Sequence, residues 1–211
     1  MKYFYLLILS SSLNLFANTV IYSSAFIDVL DRSIKKNYTI TIEDGLIKSI
    51  DKGLLKINKS DRLIDLRNYI VMPGLMDMHV HFGGEYQSKA ERPVKVERET
   101  EAILATAHAY TTLKAGFTTV RQVGDSGLVA ISLRDAIKNE YVIGPRIFTS
   151  GKSIATTGGH ADPTNGKAID DYEYPTPEDG VINGPYEAFT AVRQRYRDGA
   201  DGIKLTVTGG V

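Results

Sequence analysis

Two histidines separated by one residue, His79 and His81, offer the clearest chemistry in this 211-residue chain. They end the run Val-Met-Pro-Gly-Leu-Met-Asp-Met-His-Val-His, which predicts a β-strand. Side chains two positions apart leave the same face of a strand, so both imidazoles share a face with Asp77. A Pro-Gly pair before the strand and a Gly-Gly pair after it place the histidines at the carboxyl end, where parallel sheets bind ligands. Two converging neutral imidazoles suit a divalent metal ion, although the bare pattern also occurs at the solvated rim of a strand.

Lys204 is the second residue whose side chain could take part in the chemistry of a site. It lies in a predicted strand over residues 202–208, where apolar residues alternate and leave Lys204, Thr206 and Thr208 on the opposite face. An ammonium group on the inner face of a closed sheet loses hydration worth several kcal/mol unless it is paired or neutralised. A salt bridge, for example to Asp77, would satisfy it. Conversion to a carbamate, an anionic ligand able to bridge two metals, would also do so, and the strand pattern alone does not favour the carbamate.

The elements after His81 alternate between helix and strand. Helices are predicted over residues 97–115, from Val129 to before Gly144, and from Pro185 to Gly199; strands are predicted over residues 117–123, 146–150 and 202–208. The residues predicted to face inward are Ile103, Leu104 and Ala107 on the first helix, Val129, Leu133, Ala136 and Ile137 on the second, and Phe189, Val192 and Tyr196 on the third. Residues 151–184 form a long candidate active-site loop.

This alternation predicts an α/β fold with a parallel sheet and helices outside it. A doubly wound sheet and a β/α barrel both fit the order of elements. No phosphate-binding glycine-rich turn follows the first parallel strand, which favours the barrel.

The residues before the histidine strand have a β pattern. Alternating apolar residues flank Asp44-Gly45, a strong hairpin signal. Leu63 to Leu66 predicts one more strand, and Asn68-Tyr69 predicts a turn after it. So small a sheet cannot bury both of its faces and is expected to pack on another part of the chain.

Composition excludes several function classes. The 25 basic and 25 acidic residues balance and no basic run interleaves with aromatic residues, so neither nucleic acid nor an anionic membrane surface is implied as a partner. Cysteine is absent, which excludes disulfides, zinc thiolate sites and a cysteine nucleophile. A homo-oligomer is compatible with the sequence.

Residues 1–17 have the basic, apolar and small-residue order of a signal peptide, with cleavage expected near Ala17. A buried first strand or an uncleaved anchor are the alternatives. We therefore expect a periplasmic or secreted protein without membrane attachment after cleavage.

Four motifs occur in order along the chain: Val-Met-Pro-Gly-Leu-Met-Asp-Met-His-Val-His ending at His81, Gly-Phe-Thr-Thr-Val-Arg from Gly116, Gly-Gly-His-Ala-Asp-Pro from Gly158, and Gly-Ala-Asp-Gly-Ile-Lys-Leu from Gly199. Together they resemble the amidohydrolase superfamily, in the branch similar to imidazolonepropionases and prolidase-like Xaa-Pro dipeptidases. The resemblance runs from about residue 20 to the last residue.

The resemblance implies the first half of a TIM-type β/α barrel in residues 73–211, preceded by strands of a small β-sandwich in residues 18–72. It further implies a centre of two divalent metal ions, usually zinc, with His79 and His81 on the first ion and carboxylated Lys204 bridging both. A metal-activated hydroxide would attack the substrate carbonyl. The family also uses one histidine from each of the next two strands and a late catalytic aspartate, which are expected beyond Val211.

Three further residues have open roles. His160 either faces the metal pocket and touches substrate or holds its own turn. Arg121 either clamps a substrate carboxylate or pairs with Asp77. His108, inside the first helix, is predicted to be a satisfied surface or interhelix residue away from the strand ends.

The leading expectation is a metal-dependent hydrolase of C–N bonds in dipeptides or related small acyl compounds. The alternatives are a hydrolase of lactones or cyclic amides with the same metal site, and a truncated pseudoenzyme. Because a full barrel needs roughly 250 residues, we expect the chain to be the N-terminal part of a longer enzyme or the product of an interrupted gene, inactive by itself.

Overall fold

The computed structural model describes residues 18–83, 97–125, 127–166, 168 and 173–209. The signal peptide predicted over residues 1–17 lies outside the described residues. The chain divides into two compact units between Pro73 and Gly74. In the described part of the chain, no helix has the length and apolar character needed to cross a membrane.

The first unit is a four-stranded sheet. Its strands are β1 (Thr19–Asp28), β2 (Ser33–Glu43), β3 (Leu46–Lys52) and β4 (Arg62–Val71), in the order β3-β2-β1-β4. β1 pairs antiparallel with β2 and parallel with β4, and β2 pairs antiparallel with β3. The predicted hairpin is confirmed: Asp44 and Gly45 connect β2 to β3 with φ values of 50° and 75°, as a tight hairpin turn requires.

The turn predicted at Asn68-Tyr69 is wrong. β4 continues through both residues, and its pairing with β1 shifts there, because Leu66 stands opposite Ser23 whereas Ile70 stands opposite Ala25. Three residues of β4, 67–69, therefore stand opposite one residue of β1, Ser24. The turn-forming residues are accommodated as a bulge inside a longer strand.

The interior of the first unit contains Val20, Phe26 and Ile40. Thr39 is also buried, and its hydroxyl donates to the Gly53 carbonyl at 2.7 Å and accepts from the Leu55 amide at 3.1 Å. A single buried side chain thus fixes the path of the chain after β3.

The second unit contains the alternation of strands and helices that the sequence predicts. Its elements are β5 (Leu75–Val80), α1 (Arg98–Lys114), β6 (Phe117–Gln122), α2 (Val129–Lys138), β7 (Arg146–Thr149), a 3₁₀ helix (Pro177–Asp179) and α3 (Pro185–Asp198). The sheet has the order β5-β6-β7, and both pairings are parallel. A Cβ atom on Gly74 would lie 2.0 Å from Thr118 Oγ1, so the absence of a side chain lets the start of β5 approach β6.

The core of the second unit lies between the sheet and the first two helices. It comprises Phe82, Ala105, Ala109, Val120, Val129, Leu133 and Ile147. The inward face predicted for α1 is wrong, because Ile103 is 70% exposed and Leu104 and Ala107 are exposed too. Two alanines face the sheet instead, and their small side chains allow a close approach of the helix.

The inward face predicted for α3 is also wrong. Phe189, Val192 and Tyr196 are exposed, whereas Ala191 and Arg195 are buried. Arg195 is only 1% exposed, and it donates to the Lys152 carbonyl at 3.3 Å and to the Glu178 carbonyl. Burial of a guanidinium is tolerated because these acceptors lie in the loop that α3 supports. The ends of α3 at Pro185 and Gly199 agree with the prediction.

The fourth parallel strand predicted over residues 202–208 is reduced to a single parallel bridge between Leu205 and Ile154. The Ile154 amide donates to the Lys204 carbonyl at 2.8 Å, and the Thr206 amide donates to the Ile154 carbonyl at 2.9 Å. β7 ends at Thr149, and Gly151, with φ at 59°, turns the chain before this pairing begins. The segment is therefore extended and placed beside β7 without forming a regular ladder.

Candidate metal centre

His79 and His81 converge at the carboxyl end of β5. Their Nε2 atoms lie 3.1 Å apart, and both side chains are exposed. Two nitrogens bound to one zinc ion at about 2.0–2.1 Å stand roughly 3 Å apart, so the spacing fits two ligands on one divalent ion. Asp77 accepts a hydrogen bond from the His79 backbone amide at 3.0 Å and so fixes the end of the strand.

One pocket collects most of the predicted site residues. It lies in the second unit, at the carboxyl ends of β5 and β6. Its walls include Asp77, His79, His81, Gln122, Asp125, Lys152, His160, Asp179, Lys204 and Thr206. Residues separated by more than 100 positions in the sequence thus face a common space, as the parallel strand order requires.

Lys204 reaches this pocket because the chain before it is tied to β7 and α2. Asp201 Oδ2 accepts from the Thr149 amide at 2.9 Å and from Arg134 Nη1 at 2.9 Å, and the Asp201 amide donates to the Thr149 carbonyl at 2.7 Å. Among the residues that the structure describes, Lys204 forms no ion pair, so the alternative salt bridge to Asp77 is not present. An amine that lines this pocket without a carboxylate partner among the described residues is compatible with conversion to a carbamate.

His160 also lines the pocket, from the loop after β7. Its backbone amide donates to the Thr208 carbonyl at 3.0 Å, which joins this loop to the segment that contains Lys204. The imidazole itself is exposed. It is therefore placed to meet a molecule in the pocket.

Arg121 lies outside the pocket lining. Its side chain is exposed, and Nε donates to the Met78 backbone carbonyl at 2.9 Å. In the described ranges it forms no ion pair with Asp77. The contact links β6 to β5 close to the histidine pair.

His108 and Gln122 hold the chain just after the histidine pair. His108 Nδ1 lies 2.9 Å from the Phe82 carbonyl and donates to it, and Gln122 Oε1 accepts from the Phe82 amide at 3.3 Å. The prediction that His108 is satisfied is confirmed, but its place away from the strand ends is wrong. Gln122, which is 1% exposed, is a site residue that the sequence analysis missed. The available signal was a polar amide on the same strand face as the apolar Val120.

An ion pair also lines the pocket. Lys152 Nζ is 3.0 Å from Asp179 Oδ1, and Thr176 also donates to the Asp179 carboxylate at the start of the 3₁₀ helix. The hydrogen bond from Lys152 lowers the pKa of Asp179 below its ordinary value of 3.8, and the Thr176 amide adds to this effect. Asp179 therefore remains an anion at neutral pH.

The described residues contain no group of three or more His, Cys, Asp or Glu side chains arranged to hold a metal ion. His79 and His81 supply two ligands, and Lys204 supplies a third only if its amine becomes an anionic carbamate. The residues fit a divalent ion as part of a larger ligand set. The further histidines and the aspartate that the motifs imply are not in this sequence.

A parallel β/α arrangement whose pocket is lined by a His-x-His pair and a lysine is typical of β/α-barrel hydrolases. Comparison with known families gives a narrower result: residues 70–211 match the Amidohydrolase family. The chain belongs to this family.

The similar solved structures include a Xaa-Pro dipeptidase with methionine bound in its active site, which is 65% identical, with a TM-score of 0.89 over 92% of this chain and 48% of that one. A prolidase complexed with N-methylphosphonate-L-proline is 27% identical, with a TM-score of 0.76 over 89% of this chain and 46% of that one. The ochratoxinase of Aspergillus niger is 27% identical over 92% of this chain and 42% of its own length.

The chain thus spans about half the length of the relatives that it matches. Its fold is α/β and corresponds to the first part of an amidohydrolase barrel, as the sequence predicts. The prolidase-like branch predicted from the motifs is confirmed.

Proposed function

We propose that the protein of which this chain is a part is a metal-dependent dipeptidase that hydrolyses the C–N bond of Xaa-Pro or related dipeptides. The observation that carries the proposal is the 3.1 Å spacing of the two Nε2 atoms in a pocket that also contains Lys204 and His160. Membership of the amidohydrolase family and the 65% identity to a Xaa-Pro dipeptidase support the same reaction class.

His79, His81 and carboxylated Lys204 would hold divalent metal, with two zinc ions as the proposed content. When bound, the metal would polarise the scissile carbonyl and lower the pKa of the attacking water toward neutrality. The two imidazoles would hold the metal through their Nε2 atoms, which lie 3.1 Å apart.

The other residues of the pocket orient the site and the substrate. His108 and Gln122 fix Phe82 through its carbonyl and amide, which restrains the chain immediately after His81. The tie from Asp201 to Thr149 and Arg134 aims Lys204 at the same space. His160 is proposed to contact the substrate. Arg121, which contacts the Met78 carbonyl, is proposed to support β5 rather than the substrate.

The methionine bound to the 65% identical dipeptidase makes Met-Pro the first substrate to test. The assay uses the full-length protein loaded with zinc and follows the release of methionine and proline. We expect turnover of Met-Pro, its loss on chelation and its return when zinc is added. Turnover of lactones or cyclic ureides without any dipeptide hydrolysis would contradict the proposed substrate class.

The metal site has a separate test. Replacement of His79 and His81 by alanine should abolish stoichiometric metal binding, measured by elemental analysis, whereas H108N should keep its metal because His108 bonds to a backbone carbonyl. Intact-protein mass spectrometry under native conditions should detect one added carbon dioxide that is lost in K204A. Full metal content in the double histidine variant would refute the assignment.

The proposal extends to cellular location. Export by the signal peptide would place the enzyme in the periplasm or outside the cell, where dipeptides are available. The 211-residue segment alone is expected to be inactive, because it covers about half of the related barrels. Fractionation of cells that produce the full-length protein tests the location, and assay of the segment on Met-Pro tests its inactivity.

A further inference from the structure

His160 is carried by a turn that closes around one buried carboxylate. We propose that Asp162 is a positioning residue: its carboxylate holds residues 158–165 in the shape that directs His160 into the pocket. The inference rests on the proposed function, because it assigns to Asp162 an effect on substrate binding that acts through His160.

The contacts of Asp162 span both sides of the turn. Its Oδ2 atom accepts from the Gly158 amide at 2.8 Å, before His160. Its Oδ1 atom accepts from the Thr164 amide at 2.9 Å and from the Thr164 hydroxyl at 2.6 Å, after His160. Asp162 as a whole is 5% exposed. One carboxylate thus connects the two residues between which the histidine projects.

Backbone contacts close the rest of the turn. The Asp162 amide donates to the Gly159 carbonyl at 2.9 Å, and Asn165 Nδ2 donates to the same carbonyl at 2.7 Å. The His160 amide is bound to the Thr208 carbonyl. The backbone of His160 is therefore fixed at one point, and the direction of its side chain depends on the turn around it.

An asparagine at position 162 has the same size but presents an NH₂ group where one of the carboxylate oxygens stood. At least one donor of the turn would then face another donor, and charge-assisted hydrogen bonds would be lost. The turn is expected to open and His160 to lose its fixed direction. The metal ligands His79, His81 and Lys204 are on other segments, so metal content should not change.

The experiment uses the full-length protein and compares D162N, H160A and the double variant with Met-Pro as substrate. We expect D162N to raise KM roughly tenfold, as loss of a charge-assisted contact predicts, with kcat within about twofold of the wild type. H160A should raise KM similarly. Because Asp162 acts through His160, D162N should have no further effect on KM in the H160A background.

A matched control is D61N. Asp61 accepts from the Asn58 amide at 2.9 Å and from Asn18 at 3.3 Å in the first unit, and its replacement should leave KM unchanged. T164V removes only the hydroxyl donor and should raise KM by about threefold. If D162N does not accumulate as folded protein, the KM of T164V tests the role assigned to Asp162.

An unchanged KM in D162N and T164V, or additive effects of D162N and H160A, would overturn the role assigned to Asp162. A wild-type protein that binds metal but does not hydrolyse dipeptides would instead refute the proposed function. The two failures are distinguishable because the second is seen before any variant is made.

Discussion

Arg195 provides the sharpest test of how the candidate active-site loop is held. Its guanidinium donates to the Lys152 and Glu178 carbonyls, and its Nε atom lies 3.3 Å from Asp198 Oδ2 without hydrogen-bond geometry. Hydrogen bonds to a charged group contribute about 1.5–3 kcal/mol each, and removal of one partner of a buried ion pair costs about 3–5 kcal/mol. Taken at their lower ends, the two hydrogen bonds and the ion pair give about 6 kcal/mol. Subtracting about 3 kcal/mol for the apolar burial of a methionine leaves a destabilisation of the loop by about 3 kcal/mol in R195M.

Hydrogen exchange measures this loss where it occurs. The Ala155 amide donates to the Gly180 carbonyl at 2.8 Å and the Ile182 amide donates to the Ala155 carbonyl at 2.8 Å, so both amides report on opening of the loop. A loss of about 3 kcal/mol corresponds to roughly 100-fold faster exchange at these amides. R193M is the matched control, because Arg193 is exposed on the same helix. Equal protection of the two amides in R195M and R193M would refute the reasoning.

Two further predictions concern the pocket walls. In K152A the pKa of Asp179 should rise toward 3.8, as measured by NMR titration of its carboxyl carbon. Because the folded-state pKa is lowered, the ion pair stabilises the protein above about pH 4, and this contribution is lost as the pH falls through the folded-state pKa. An identical titration of Asp179 in wild type and K152A would contradict this account. G124A should lower the Tm of the full-length protein, because Gly124 has φ at 125° and a Cβ atom there would lie 2.8 Å from Ser153 Oγ and 3.5 Å from His81 Cε1. Adding S153A to G124A should relieve the clash with Ser153 but leave the backbone strain. An unchanged Tm in G124A would contradict both the clash and the strain.

The order of elements in the second unit could be predicted because each helix and strand is punctuated locally. Pro185 and Gly199 bound α3, and the helix to strand alternation requires a parallel sheet. The inward faces could not be predicted in the same way. Apolar periodicity assigned Phe189 and Tyr196 to the core, but the guanidinium of Arg195 is buried there instead. It is stabilised by hydrogen bonds to the Glu178 and Lys152 carbonyls, which lie 17 and 43 residues away in the sequence.

The candidate site follows the same division. The pairing of His79 and His81 could be predicted from their spacing, because neighbouring residues determine which face of the strand they occupy and where the strand ends. Lys204 could be placed on the pocket side by alternation, but the contacts of Asp201 with Arg134 and Thr149, which anchor the segment before Lys204, could not be predicted from the sequence. Gln122 gave only a weak signal, since its partner is the backbone of Phe82 and backbone partners leave no trace in the sequence.

The close contact between Gly74 and Thr118 links two positions in evolution. A side chain at position 74 needs space that the Thr118 hydroxyl and methyl groups fill at 2.0 and 2.3 Å from the Cβ position. Homologous sequences that carry alanine at position 74 should therefore carry glycine or alanine at position 118, and changes at the two sites should be inherited as a pair.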